Sequence, residues 1–476
     1  MATIGGVLAA GLAGCGSAGK GNQGASGATT TAVAATTTTA DGAPAGNDGG
    51  PQGDSTEDPK VAANKRAEDA VKDVEAYWGR TMQDTFGIDY KKISGGFFPY
   101  TPTSEQPPCG NPPPKFADIA NNAFYCPSDD LIAWDADGLI PSLFDKFGGF
   151  TIGVVFAHEW GHAIQARAGI TGPTVLLEQQ ADCFAGAWVA DAQAGNDPNF
   201  KVAPADLDDA LAGFLTLRDS PGTLATDAQA HGSGFDRVNA FQDGIENGPK
   251  KCKTYKAENL QLVELPFNSQ ADANANGNAP FQDVEKLTLD DLDAFWKATM
   301  PKAFGKPFVA PAVKPYDPEG DLPSCGGEAP QRRDYRRTAF YCQSDDFVGW
   351  DEAKFFPSLY KRFGDFAVST IIATQYSHAV VGKAGVKKAT LKANLQADCL
   401  TGVWAASTVP GVDKIGTLEI SPGDLDEALT AFLVYGKTPE GLDREGAAFH
   451  GTAFQRVAAF RSGFVNGIAT CPTVGG

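Results

Sequence analysis

The sequence predicts a mainly helical α+β fold, arranged as two homologous domains in tandem. The segment FYCPSDD at residues 124–130 recurs as FYCQSDD at residues 340–346, and QADC at residues 180–183 recurs at 396–399. The spacing is constant, since 342 − 126 and 399 − 183 both equal 216. Long apolar runs without interior proline indicate helices more often than strands. A chain of 476 residues also exceeds the usual size of one core.

The domain boundaries follow from the repeat. We place the first copy at residues 60–252 and the second at residues 283–471, joined by a linker at 253–282 whose polar part is NSQADANANGN at 268–278. His231 and His450 differ by 219 positions, so the second copy gains about three residues late in its sequence.

Three segments of the first copy carry secondary-structure signals. Residues 150–168 form a long apolar run that ends near Gly169, as a buried helix does. A second helix is expected at about residues 174–190. The aromatic stretch at residues 122–134 is the better strand candidate, and it serves either as a core strand or as an edge to which an extended peptide adds.

The charge balance excludes one class of function. The chain carries 58 acidic and 39 basic side chains, a formal charge of −19. Such a surface repels nucleic acid and anionic lipid headgroups, so no nucleic-acid partner is expected.

The beginning of the chain resembles a bacterial lipoprotein signal. Residues 1–14 are small and apolar and run into Leu12-Ala13-Gly14-Cys15, which resembles a lipobox. The resemblance implies a signal peptide at 1–14, a lipid on Cys15, and an extracytoplasmic protein anchored to the cell membrane by that lipid. No Lys or Arg precedes the apolar run, which is a departure, and an uncleaved disordered leader is the alternative.

The segment at 15–59 is a low-complexity stretch that we interpret as a flexible tether. No later stretch is expected to span a membrane.

Eight further cysteines support export to an oxidising compartment. They occupy matching positions in the two copies, so the simplest pairing lies within each copy, although four cysteines allow three pairings. The simplest pairs are Cys109 with Cys126, Cys183 with Cys252, Cys325 with Cys342, and Cys399 with Cys471.

A metal site is predicted at His158-Glu159-Trp160-Gly161-His162. Residues four apart share one face of a helix, so His158 and His162 can bind one zinc ion. Glu159 is turned aside from the ligand pair, where a general base that acts on a zinc-bound water is needed.

The third ligand is predicted on the next helix. Metzincin sites place Gly and His where this chain has Gln165 and Ala168, which excludes that arrangement. Glu178 and Asp182 stand four apart and can both point toward the first helix. We expect Glu178 to bind zinc and Asp182 to accept the other ring N–H of a zinc-bound histidine.

Four motifs together resemble the bacterial neutral zinc metallopeptidase family: HEWGH, EQQADC, FYCPSDD and HGSGFDRV. The resemblance covers nearly all of the first copy. It implies a zincin-like domain with HEXXH on a buried helix and a glutamate third ligand, which hydrolyses peptide bonds in peptide or protein substrates. Gln179 departs from the apolar residue more usual in the family and leaves every proposed ligand in place.

The second copy lacks the proposed chemistry. The constant spacing maps His158 to Thr374, Glu159 to Gln375 and Glu178 to Asn394, whereas His162 maps to His378. Without a dication both carboxylates would be buried charges with no partner, so their joint loss is coherent. We therefore expect one zinc per chain, in the first domain only.

The role of the second copy is open among packing on the active domain as an intramolecular pseudo-dimer, binding a peptide or partner, and acting as a spacer. We prefer the packing role.

Residues kept in a copy without chemistry are better explained by folding. The counterpart of His231 in the second copy is also a histidine, His450. A structural role of His231 is therefore an alternative to stabilisation of an oxyanion or orientation of substrate. The counterpart of Asp182 is also an aspartate, Asp398. A structural role of Asp182 can coexist with its hydrogen bond to a zinc-bound histidine. The tryptophans Trp78, Trp134 and Trp188 all have counterparts and are expected in the cores.

Two functions remain as hypotheses. The first is a membrane-anchored extracytoplasmic zinc-dependent peptidase. The second is a non-catalytic lipoprotein scaffold built from two zincin-like domains.

Overall fold

A computed structural model describes residues 58–226, 230–263, 265–327, 330–386, 390–412, 415–437 and 450–475. These residues fall into two compact units, the first ending at Leu262 and the second starting at Val263, except that residues 221–224 group with the second. The predicted signal peptide, Cys15 and nearly all of the predicted tether lie outside the described residues.

The first unit consists of helices and short strands that alternate before four helices follow in succession. Its elements are α1 (Pro59–Phe86), β1 (Gly96–Tyr100), α2 (Phe116–Ile119), β2 (Ala123–Cys126), β3 (Leu131–Asp135), α3 (Leu139–Ala168), α4 (Thr174–Gln193), α5 (Pro204–Thr216) and α6 (Gly234–Cys252).

The second unit repeats this order after the short helix α7, with two helices, α10 and α11, in the place of α3. Its elements are α7 (Gln270–Asn274), α8 (Phe281–Phe304), β4 (Ala312–Val313), α9 (Arg332–Tyr335), β5 (Ala339–Cys342), β6 (Phe347–Trp350), α10 (Phe355–Phe363), α11 (Asp365–Ala384), α12 (Leu391–Ser407), α13 (Asp424–Lys437) and α14 (Ala453–Asn466). A 3-10 helix at Ile468–Thr473 follows α14.

Each unit holds one small sheet of three strands with the same topology. In the first unit β3 lies between β1, which runs parallel to it, and β2, which runs antiparallel. The second unit has the order β4-β6-β5 with the same directions. The prediction of one strand at residues 122–134 was wrong, because a turn at 127–130 folds this stretch into the hairpin β2–β3.

Helix α3 starts earlier than predicted. It begins at Leu139 and contains a kink at Gly148, whose φ of 74° is readily adopted only by glycine. By length and composition α3 could cross a membrane, whereas we expected no membrane-spanning stretch after the N-terminal segment. Over half of its most apolar stretch is buried inside the protein, and it packs on α1, α4 and α5 as a core helix.

The predicted linker at 253–282 contains regular structure. Helix α7 and a 3-10 helix at Ala257–Asn259 lie within it, and α8 already starts at its end. Near its C-terminal end, the side chain of Asn278 accepts a hydrogen bond from the backbone N–H of Asp365, at 2.7 Å. The end of this segment is thereby fixed to the second unit.

The cysteines pair within each copy, as the sequence predicted. The disulfides join Cys109 to Cys126, Cys183 to Cys252, Cys325 to Cys342, and Cys399 to Cys471. Trp78, Trp134 and Trp188 are buried in the core of the first unit, as expected.

Helices α4 and α6 cross with their backbones in contact. A Cβ atom added to Gly186 would lie 1.9 Å from the carbonyl oxygen of Phe241, and one added to Gly244 would lie 1.9 Å from that of Cys183. Real side chains never come so close to a backbone oxygen, so only glycine allows this crossing. The second unit repeats it with Gly402 and Gly463.

We predict that Gly186→Ala destabilises the first unit by at least about 3 kcal/mol, because the new methyl group pushes two backbones apart. The matched control is Gly79→Ala in α1, where an added Cβ meets nothing within 4 Å. It should stabilise the protein by up to about 1 kcal/mol. Urea unfolding followed by circular dichroism measures both, and equal stabilities of the two variants would contradict the close crossing.

Candidate metal centre

Helices α3 and α4 form a hairpin that brings the predicted ligands together. Gly169 ends α3 with a φ of 68°, and α4 begins at Thr174 after a short loop. A Cβ on Gly161 would lie 2.7 Å from the Cα of Ala181, so the glycine of HEWGH allows α4 to lie directly against α3. Glu178 and Asp182 therefore reach the histidines of α3.

Three side chains converge on one point. His158 Nε2 lies 3.2 Å from Glu178 Oε2, and His162 Nε2 lies 3.4 Å from Glu178 Oε1. Ligand atoms that surround a zinc ion tetrahedrally at 2.0 to 2.1 Å are about 3.3 Å apart. The side chains of His158 and Glu178 are almost fully buried, and that of His162 is 10% exposed. The spacing of the three groups fits the ligand set of a zinc ion.

Two buried atoms at this point lack hydrogen-bond partners in the part of the chain that the structure describes, and this also fits a bound zinc ion. His158 Nε2 and Glu178 Oε2 are buried without a hydrogen-bond partner among the described residues, although they lie close together. Buried polar atoms without partners are costly and rare in folded proteins. A metal ion between the two residues would satisfy both atoms.

Asp182 fixes the orientation of His158. Its Oδ1 lies 2.7 Å from His158 Nδ1, and the same carboxylate accepts two hydrogen bonds from Arg237 of α6, both at 2.8 Å. With Nδ1 directed at a carboxylate, the proton resides there and Nε2 remains available to a metal. Arg237 was not singled out from the sequence, although its counterpart Arg456 could have signalled it.

Gln165 performs the corresponding task for His162, and sequence reasoning missed it. Its amide nitrogen donates to the carbonyl of Leu177 at 2.6 Å and to the side chain of Gln180 at 3.2 Å. The amide oxygen therefore faces His162 Nδ1, 3.0 Å away, and accepts its proton. The residue at the equivalent position of the second copy is Val381, which cannot accept this hydrogen bond. A glutamine that orients a histidine in this way therefore occurs only in the copy with all three candidate ligands.

The electrostatics of the site favour positive charge between the ligands. Burial alone would lower the pKa of His158, yet the Asp182 and Glu178 carboxylates raise it to about 10. Burial alone would raise the pKa of Glu178, but His162 and His158 lower it to about 2. Burial alone would raise the pKa of Asp182, but Arg237 and His158 lower it below its usual value. A dication is the charge that such a set can hold.

Glu159 is directed away from the ligand set and toward the sheet. Its Oε2 accepts a hydrogen bond of 3.0 Å from the backbone N–H of Tyr125 in β2, and its Oε1 has no hydrogen-bond partner among the described residues. Burial raises the pKa of Glu159 to about 8. One oxygen is thus anchored while the other is available to a proton.

His231 lies in the same neighbourhood. Its Nδ1 is 3.0 Å from Asp219 Oδ1, its backbone N–H donates to Asp219 Oδ2, and its carbonyl accepts from Gln179 of α4. His231 is close enough to Glu178 to help lower the pKa of that carboxyl. Asp219 and Gln179 were not predicted as its partners, and the choice between a structural and a catalytic role of His231 stays a prediction.

The second unit keeps the frame without the ligands. Asp398 accepts two hydrogen bonds from Arg456, both at 2.9 Å, as Asp182 does from Arg237. Asn394 replaces Glu178 and contacts His450 at 3.4 Å. Burial, together with Arg456 and His450, lowers the pKa of His378 to about 3, so this histidine stays neutral. The only one of the three zinc-ligand positions that keeps its residue is His378.

A family model described as "Putative neutral zinc metallopeptidase" matches the chain twice, at residues 25–255 and 266–474. The chain belongs to this family. The two matches also confirm the tandem duplication. For this family, the buried cluster of His158, His162 and Glu178 is the part of the described structure suited to zinc.

The curated proteins that the chain resembles carry the names of uncharacterised proteins. The chain is 30% identical over 158 residues to the uncharacterized protein YpfJ of Escherichia coli (strain K12), which covers 28% of this chain and 53% of YpfJ. It is 30% identical over 164 residues to the uncharacterized protein Rv2575 of Mycobacterium tuberculosis, which covers 29% and 56% respectively. The chain thus spans about half the length of these relatives. No solved structure matches it.

We predict that the purified chain binds one zinc ion and that Gln165→Leu weakens its zinc affinity roughly 10- to 100-fold, because His162 is no longer held in orientation. His158→Ala should abolish zinc binding at this site. Competition with a chromophoric chelator measures the affinity, and plasma mass spectrometry measures the stoichiometry.

The matched control is Asn394→Ala, at the second-copy position of Glu178, which should leave the zinc content unchanged. Two zinc ions per chain, or an unaltered affinity in Gln165→Leu, would contradict this account of the site.

Proposed function

We propose that the chain is a peptidase whose one zinc site lies in the first domain and is held by His158, His162 and Glu178. The observation that carries the proposal is the pair of buried, unpartnered ligand atoms on His158 and Glu178, beside a glutamate that is not a ligand. Membership of the neutral zinc metallopeptidase family supports the same reaction class.

The chain's own residues would divide the work of peptide hydrolysis. A zinc ion held by these residues supplies Lewis-acid chemistry toward the scissile carbonyl and toward water. Glu159 takes a proton from the attacking water at Oε1 and passes it to the leaving amine nitrogen. The N–H of Tyr125 keeps Oε2 in place throughout. Asp182 and Gln165 hold the Nδ1 protons of the two histidines, so neither ring turns.

A small pocket beside His158 suggests which substrates are accepted. It is lined mainly by apolar groups, including Val154, Val155, Phe214 and Leu217. The charge of Arg237, which also borders it, is already engaged by Asp182. We propose that a small apolar side chain next to the scissile bond binds here, because the pocket is narrow and burial of apolar surface would favour it.

We also propose that Cys15 carries a lipid that anchors the protein to the outer face of a cell membrane. The lipobox-like sequence supports this, and the four disulfides are consistent with an oxidising compartment. The packing of the two domains as a pseudo-dimer stays a prediction.

We predict that Glu159→Gln retains zinc but loses at least about 10³-fold in peptide hydrolysis, because the amide cannot take a proton. A random peptide library incubated with wild type and variant, and read by mass spectrometry, measures this loss. The wild-type products should be enriched in apolar residues on one side of the cut.

The matched control is Gln375→Glu, which restores the glutamate at the equivalent position of the second copy and should leave activity unchanged. Equal cleavage by wild type and Glu159→Gln would refute the role of Glu159. A zinc-loaded wild type that cleaves no peptide would favour the scaffold hypothesis instead.

For the anchor, we predict that Cys15→Ala moves the full-length protein from the membrane to the soluble fraction when it is expressed in a bacterial host. The thiol is the attachment point of the lipid, so its loss removes the membrane affinity. Mass spectrometry of the mature N-terminal peptide provides the second measurement. An unmodified Cys15 in the wild type would contradict the anchor.

A further inference from the structure

The second unit contains a cluster of three carboxylates that the proposed peptidase chemistry does not use. Asp365 opens α11, Asp424 opens α13, and Glu427 lies one turn further along α13. One ligand oxygen from each residue lies within 4.8 Å of the other two. Asp365 and Asp424 are 8% and 3% exposed, so the cluster is largely removed from water.

Each carboxylate is fixed by a backbone N–H through one of its oxygens. Asp365 Oδ2 accepts from Ala279 at 2.9 Å, Asp424 Oδ2 accepts from Ser421 at 2.8 Å, and Glu427 Oε2 accepts from Phe366 at 2.9 Å. The orientation of all three groups is therefore determined by the fold before any ligand arrives.

Two of the three remaining oxygens lack partners in the described part of the chain. Asp365 Oδ1 and Asp424 Oδ1 are buried and have no hydrogen-bond partner among the described residues. Among the described residues, no Lys or Arg forms an ion pair with any of the three carboxylates. Burial and mutual repulsion raise the pKa of Asp424 and of Glu427 well above the usual range. Three negative charges in such a place require a cation or protons.

The first copy has a different set of residues at the corresponding place. The spacing of 216 maps Asp365 to Gly149, and alignment of Pro422 with Pro204, a spacing of 218, maps Asp424 to Asp206. Arg66 lies there in the first unit, with Nε 2.9 Å from where a Cβ of Gly149 would be. The same spacing of 218, which relates Trp296 to Trp78, places Val284 at the position of Arg66. The second copy has thus lost a cation and gained a carboxylate.

We propose that Asp365, Asp424 and Glu427 form a calcium site that stabilises the second unit. Carboxylate oxygens are ligands of hard cations, and Ca²⁺ accepts several of them from separate segments together with water. Mg²⁺ usually binds through one or two carboxylates and keeps most of its water, so three converging carboxylates favour calcium. The ion would tie α11 and α13 to residues 278–279, which precede α8.

Gly364 is consistent with a fixed position of Glu427. A Cβ at Gly364 would lie 2.0 Å from Glu427 Oε1, and the φ of Gly364 is 114°. Only glycine both adopts this conformation readily and leaves room for the carboxylate.

The test uses the full chain, stripped with a chelator and reloaded with zinc so that the zinc site is filled. Titration with calcium chloride in a calorimeter should show about one Ca²⁺ per chain, with a dissociation constant between about 1 µM and 1 mM. Glu427→Gln keeps the shape and the hydrogen bond to Phe366 but should weaken calcium binding at least tenfold. Asp424→Asn should do the same.

The matched control is Asp206→Asn, the first-copy counterpart of Asp424, which should leave calcium binding unchanged. Near-UV circular dichroism of each variant shows whether the second unit is folded. Calcium should raise the melting temperature of the wild type and of Asp206→Asn, but not that of Glu427→Gln or Asp424→Asn. No binding of calcium at 10 mM calcium chloride, or equal affinity in wild type and a folded Glu427→Gln, overturns the proposal. Binding of magnesium in preference to calcium overturns the choice of ion. His158→Ala should still bind calcium, which separates this result from the fate of the peptidase proposal.

Discussion

The buried carboxylate of Asp182 connects three helices of the first unit. It lies on α4, contacts His158 of α3 through one oxygen, and accepts two hydrogen bonds from Arg237 of α6. Removing one partner from a buried charged pair costs about 3 to 5 kcal/mol, because the other charge is left without compensation. The position of the metal-binding histidine and the packing of the helices around it therefore depend on the same group. A change at Asp182 alters both together.

The two copies separate the structural part of this arrangement from the chemical part. The pair of Asp398 and Arg456 keeps its geometry in the second unit, where no histidine corresponds to His158. With fewer cationic neighbours, burial dominates, and the pKa of Asp398 is raised where that of Asp182 is lowered. The helix crossings through paired glycines recur as well. Folding thus accounts for the aspartate–arginine pair, whereas Glu178, Glu159 and Gln165 occur only with the metal site.

The second copy differs from the first in a carboxylate that it has gained as well as in carboxylates that it has lost. The carboxylates of the proposed zinc site are replaced by the neutral side chains of Gln375 and Asn394, which are also buried. New negative charge is found instead at the start of α11, where Asp365 stands at the position of Gly149, and Val284 stands at the position of the cation Arg66. Buried carboxylates are stable only with a compensating charge or a proton.

The sequence by itself determined the duplication, the helical character and the set of candidate residues, because these depend on spacing and on the four-residue repeat of a helix. It favoured cysteine pairs within each copy, and the structure chose among the three pairings that four cysteines allow. Tertiary structure decided which atoms meet. The orientation of Gln165 depends on the carbonyl of Leu177, and the anchoring of Glu159 depends on a backbone N–H of a hairpin that the sequence suggested as one strand. The acidic cluster joins segments about 60 residues apart and follows no local pattern. Contacts between distant segments are set by packing, which leaves no periodic trace in the sequence.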